Sequence, residues 1–117
     1  MLYTGQATLN RWHDGDSCEL AITVPMPLLG DVTTVARRMM RVRGINCPEL
    51  RTVFGPAAKA FSEKVCPPGV VYAVEVNGWD KYGRWLGTVF ADGKDVAVLL
   101  VESGNAERVK YGCELEE

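Results

Sequence analysis

The chain has a single histidine, no cysteines at C-x-x-C spacing, and no apolar run near the ~18–20 residues that a membrane span requires. One histidine cannot build a histidine-rich metal centre or a histidine pair for acid–base work. The four cysteines, Cys18, Cys47, Cys66 and Cys113, lack zinc-ligand spacing and are expected to be free thiols of a reducing cytoplasm. The first ten residues, MLYTGQATLN, contain neither a basic stretch nor an apolar core, so no signal peptide is expected. Repeats, low-complexity segments and linkers are absent too, and 117 residues predict one domain, 1–117, with one core. A net charge of −2 and a pI near 5.4 give no overall basic signature. The expectation is a cytoplasmic, non-membrane, monomeric domain.

Local charge differs from the total. Residues 37–51 hold Arg37, Arg38, Arg41, Arg43 and Arg51 against Glu49 alone, while Glu114, Glu116 and Glu117 crowd the other end. A basic face can therefore exist on an acidic protein, and the local field is what steers an anion.

The pattern of apolar residues predicts strands first. The run 3–12 is followed by the turn HDGD, where Asp14-Gly15 is a hairpin-type dipeptide. In 17–24, Cys18, Leu20, Ile22 and Val24 share one face. PMPLLGD (25–31), with two prolines and a glycine, reads as a connection. Residues 32–45 return to β, with Met40 and Val42 on the core face and Arg41 on the other, and Gly44 at a bend.

A helix is predicted in 55–69, with Pro56 at its start and Pro67-Pro68-Gly69 stopping it. Its apolar face is expected to carry Ala57, Ala60, Phe61, Lys64 and Val65. Strands 70–76 and 84–91 follow, then the turn Asp92-Gly93 and a helix near 95–103 bearing Val96, Leu99 and Leu100. The order β-β-β-α-β-β-α predicts an α+β, mainly β fold: a five-stranded OB-type barrel with two or three helices.

Three polar clusters sit at strand ends: HDGDS (13–17), RVRGINCPE (41–49) and WDKYGR (79–84). Singly each is ordinary; Asp-Gly-Asp is common in turns, and a lone strand arginine is usually solvated. Together, with GPAAKAF (55–61) and DKYGRWLGTVFADG (80–93) in order, they resemble the staphylococcal nuclease (thermonuclease-like) family over roughly residues 5–107.

That resemblance implies a calcium-dependent phosphodiesterase acting on DNA and/or RNA. Asp16 and Asn46 match its side-chain metal ligands, the Cys47 carbonyl a backbone ligand, and Asp14 a nearby carboxylate. Glu49 matches the general base, Arg41 and Arg84 the two phosphate clamps, and Lys81 and Tyr82, with Asp80 beside them, the nucleotide pocket. Tyr111 is the candidate for a C-terminal tyrosine that packs on the nucleotide. The set makes physical sense. Two planar guanidiniums can grip the equatorial oxygens of a phosphate in pairs. A hard cation offsets phosphate charge and orients water.

The chain departs from the family pattern in places. Asn46 stands where the family commonly has aspartate, which removes one charge from the ion site. Ser17 replaces a threonine, the 49–55 loop is short, and the 25–33 connection is long. The alternative is therefore an OB-fold module that binds nucleic acid without cutting it. Among single residues, His13 reads as an ordinary turn residue. Trp79, on a loop, is a candidate for base stacking, and Arg37, Arg38 and Arg43 for tracking a strand's backbone.

Overall fold

Alternation of apolar and polar residues builds a ring of strands in the computed structural model, which describes residues 3–30, 32–49 and 51–109. Strand β1 (Tyr3–Asp14) pairs antiparallel with β2 (Ser17–Met26), and β2 with β3 (Val32–Val42). Strand β5 (Val70–Trp79) lies on the other side of β1, and β6 (Trp85–Ala91) pairs with β5. A parallel contact of β6 with β3, Met40↔Trp85 to Val42↔Gly87, closes five strands into a ring. The fold is the mainly-β OB type that the sequence predicts.

Closure depends on two irregularities. In β1, burial alternates through Ala7 and Leu9 and then skips to Trp12, because register shifts between Leu9 and Arg11 and again between Trp12 and Asp14. Such bulges bend a strand and raise its twist. The second lies where β6 turns onto β3. A Cβ at Gly87 would collide with the backbone carbonyl oxygen of Glu75 and stand 3.0 Å from the Met40 sulfur. Only a residue without a side chain lets β5, β6 and β3 approach this closely.

The expected connection at 25–31 is corrected in part. Strand β2 runs through Pro25, which pairs with Thr33, and only Pro27–Leu29 form a 3-10 turn. Pairing of β1 to β2 stops at Thr8↔Ala21, so this stretch of β2 has a neighbour only in β3. A proline is tolerated where one flank of the ladder is open.

Helix α1 (Gly55–Val65) begins with proline in its first turn, as expected, but its packed face is only partly the expected one. Gly55, Ala58 and Ser62 are buried, Phe61 and Val65 half-buried, and Ala57 and Ala60 exposed. Small side chains win the contact because the helix lies close against the turn between β1 and β2. Helix α2 (Val96–Glu102) is capped by Asp95, whose Oδ1 accepts the Ala97 N–H at 2.8 Å. Three two-residue strands complete the fold: β4 (Ile45–Asn46), β7 (Lys94–Asp95), which pairs with β6, and β8 (Glu107–Arg108), which pairs with β4. The core is apolar, from Leu9, Trp12 and Leu20 to Met40, Val74 and Leu100. No helix among the described residues is long and apolar enough to cross a membrane.

Gly87→Ala should lower the unfolding free energy by about 3 kcal/mol, since the obstructing atom is backbone and cannot swing away. Urea unfolding would measure it, and a loss below about 1 kcal/mol would contradict this account of ring closure.

Candidate active site

The turn Asp14-Gly15-Asp16 is tied down from three directions. The Asp16 N–H donates to Asp14 Oδ1 at 3.3 Å, and the Ser62 hydroxyl of α1 donates to the Gly15 carbonyl at 2.7 Å. A Cβ at Gly15 would meet Cys47 Sγ at 2.9 Å and Ala58 Cβ at 3.0 Å. Glycine therefore lets the turn sit between the helix and the segment after β3. The third tie is the buried Asp16 carboxylate, whose Oδ2 accepts the Cys47 N–H at 2.9 Å. Its Oδ1 faces the Ser17 hydroxyl at 3.4 Å.

Arg41 lies opposite Ser17 in the β2–β3 register. Gly44, at φ 87°, turns the chain back so that β4 passes over the arginine. Its Nη2 donates to the Ile45 carbonyl at 3.1 Å and to Asn46 Oδ1 at 3.0 Å, and stands 3.6 Å from Asp16 Oδ2.

Arg84 arrives from the β5–β6 turn. Its Nε donates to Asp80 Oδ2 at 2.6 Å, and its Nη1 reaches Ser17 Oγ at 3.5 Å. Asp80 Oδ1 accepts the N–H groups of Tyr82 (2.8 Å) and Arg84 (3.0 Å). Burial pushes the Asp80 carboxyl up, but these bonds and the guanidinium outweigh it and hold the carboxyl below its ordinary value. In this arrangement Asp80 holds Arg84 and turns its carboxylate away from solvent. Tyr82 is exposed, with Lys81 Nζ 5.3 Å and Arg84 Cζ 5.6 Å from its ring centre.

Both guanidiniums thus belong to one string of polar contacts: Arg84, Ser17, Asp16, Arg41, Asn46. Glu49 is not in it. Its Oε1 pairs with Arg51 Nε at 2.9 Å on the exposed loop before α1, and Thr52 closes that loop by donating its N–H and hydroxyl to the Glu49 carbonyl. Tyr111 lies outside the described residues. Glu107, which the sequence reading missed, pairs across β4–β8 with Asn46. It helps line a cleft of about 200 Å³ with Asn46, Cys47 and Asn105. A two-residue strand has no periodicity by which to find it.

Asp16 is buried and beside Asp14, and its carboxyl is raised to about 6, first by desolvation and then by its neighbour. Cys47 is likewise pushed up to about 12 by burial and the two aspartates, so its thiol stays protonated and is no nucleophile. The donors that Asp14, Asp16, Asn46 and the Cys47 carbonyl offer are all oxygen, the set a hard divalent cation prefers. A buried carboxylate strained by a second one is the kind of group a cation relieves. The residues fit calcium in type. They are sparse in charge, since no group of three or more His, Cys, Asp or Glu among the described residues is arranged for a metal.

A folded-state value above the ordinary 3.8 means that the native protein holds the extra proton. The contribution of Asp16 to stability is therefore greatest below about pH 4 and falls as pH rises toward 6. Metal-free protein should lose part of its thermal stability across that window, and Asp16→Asn should flatten the loss. An unchanged slope in the variant would contradict the burial argument.

Comparison with known proteins bears on these motifs. The family model described as "Staphylococcal nuclease homologue" matches residues 39–116. A relative from Rhizobium meliloti (strain 1021), "Succinoglycan biosynthesis protein ExoI", is 32% identical over 115 residues, which cover 86% of this chain and 58% of that protein. The chain thus spans little more than half the length of the relative it matches. With Arg41, Asn46, Cys47, Glu49 and the Asp80–Arg84 turn all inside the matched region, the chain belongs to the staphylococcal nuclease homologue family.

Proposed function

We propose that this chain is a calcium-dependent nuclease that hydrolyses phosphodiester bonds of DNA and/or RNA with little sequence preference. The observation that carries the reading is the string from Arg84 through Ser17 and Asp16 to Arg41, which gathers two permanent cations and one buried carboxylate around a single turn. It acts as a monomer in the cytoplasm, where the buried free thiols of Cys18, Cys47 and Cys66 suit a reducing medium.

Calcium, when bound, supplies positive charge against the phosphate and lowers the cost of ionising the attacking water. Asp16, Asn46 and the Cys47 carbonyl would hold it, with Asp14 as a nearby carboxylate. Arg41 and Arg84 grip the non-bridging oxygens and stabilise the charge that grows there as water attacks. Asp80 keeps the Arg84 fork oriented, so little reorganisation is needed in the transition state.

Glu49 takes the water's proton. To do so it must leave Arg51, and an exposed ion pair of this kind is worth less than about 1 kcal/mol, so release is easy. Tyr82 and Lys81 receive the nucleotide, the tyrosine as a stacking face and the lysine as a phosphate neighbour. Trp79, 60% exposed at the end of β5, is a second ring for base stacking.

A second reading, a module that binds nucleic acid without cutting it, draws on the neutral Asn46 and on Glu49 facing Arg51. Purified protein with calcium should degrade heat-denatured DNA or plasmid, and excess EDTA should stop it. Binding without cleavage in calcium, magnesium and manganese alike would favour the module. Arg84→Ala should cut turnover by about a hundredfold or more with the fold retained by circular dichroism. Asn46→Asp should tighten calcium binding, measured by titration calorimetry; unchanged or weaker affinity would contradict the ligand assignment.

A further inference from the structure

Arg41 occupies a place that a phosphate clamp does not require. One nitrogen, Nη2, is within hydrogen-bond distance of the Asn46 amide oxygen and the Ile45 carbonyl, and 3.6 Å from the Asp16 carboxylate. Two of those three oxygens, on Asp16 and Asn46, belong to the side chains that the nuclease reading gives to calcium. A single atom carrying part of a positive charge and facing three oxygens is a cation in a cation's place.

We propose that Arg41 is the resident cation of this cradle, and that calcium must displace its guanidinium to bind. The claim rests on the nuclease reading for the identity of the ion site. Its physical basis is charge compensation at a half-buried position. The Arg41 side chain is 18% exposed and that of Asp16 8%. At such depth the ionised Asp16 needs a partner, and Arg41 is the guanidinium placed beside it. With aspartate at position 46 the cradle would carry a further negative charge, and one guanidinium would leave it under-compensated, which favours a divalent ion. With Asn46 that further charge is missing, so beside Asp14 and Asp16 the guanidinium meets a weaker pull for a second cation, and the side chain that clamps phosphate also caps the cradle.

The consequence is a competition that a general field effect would not produce. Removing Arg41 takes away the occupant and should strengthen the binding of calcium alone, with no nucleic acid present. Removing Arg43, in the turn that follows β3, takes away the same charge without touching the cradle. Long-range repulsion between an arginine and calcium is also screened by salt, whereas displacement of a hydrogen-bonded group persists in it.

The test is calcium titration by calorimetry of the full chain, for wild type, Arg41→Gln and Arg43→Gln, at low salt and at 0.5 M salt, an ionic strength chosen to shorten the screening length to roughly 4 Å. The expected result is about tenfold or greater tightening in Arg41→Gln that survives high salt, and less than about twofold in Arg43→Gln. Equal calcium affinity in wild type and Arg41→Gln, or equal gains in the two variants, overturns the resident-cation proposal while leaving the ion site intact. No calcium binding by any of the three proteins overturns both the proposal and the calcium reading. Should Arg41→Gln fail to fold, the side-chain Nε resonance of Arg41 in the wild type gives the same answer. Saturating calcium should shift it and speed its hydrogen exchange, and a resonance unmoved by saturating calcium overturns displacement.

Discussion

The bond from the Cys47 N–H to Asp16 Oδ2 joins two parts of the chain that are 31 residues apart, and the rest of the site is arranged around it. It presses the β1–β2 turn against the segment after β3, with Gly15 giving up its side chain so that Cys47 can approach. Helix α1 holds the turn from the other side through Ser62. Once Asp16 is fixed, Arg41 and the hydroxyl of Ser17 are within reach of its two oxygens, and through Ser17 so is Arg84. One buried carboxylate thus sets the spacing of both cations. The same burial disfavours its charge, so the site is built on a group that gains from a cation nearby.

Ring closure serves the same end. Parallel pairing of β3 with β6 puts Arg41 beside Leu86, two residues beyond Arg84, and so draws the two arginines to one seam of the barrel. Gly87 is what permits the seam to be so tight. Chemistry and folding therefore share a constraint: loosening the seam would part the guanidiniums as well as cost stability.

Much of this was legible in the sequence. Asp14-Gly15, Gly44 and Asp92-Gly93 marked real turns, and Asp16, Arg41 and Arg84, from three separate motifs, lie in one string of contacts. Residues whose roles depend on contacts between distant short elements were not legible. Asp80 sits in the right motif, yet its bonds run to Arg84 and the turn backbone, which only the folded loop reveals. The buried face of α1 was read in part: Phe61 and Val65 do pack on the core, but Ala57, Ala60 and Lys64 are exposed, and close approach buries Ala58 and Ser62 instead. Glu107 meets Asn46 through two-residue strands that carry no periodic signal. Pro25 argued for a loop until the open flank of β2 showed that a strand could hold it. Glu49, which its motif matches to a general base, rests its side chain on Arg51 in this structure, a surface ion pair that no pattern in the chain encodes.

The central claim is that two guanidiniums, an ion cradle and Asp16 surround one phosphate. A crystal soaked with calcium and a nucleoside diphosphate measures this most directly. The account predicts an ion bound by Asp16 and Asn46 oxygens, with a phosphate bridging it to both Arg41 and Arg84. A phosphate bound away from either arginine, or an ion that leaves Asp16 untouched, would contradict it.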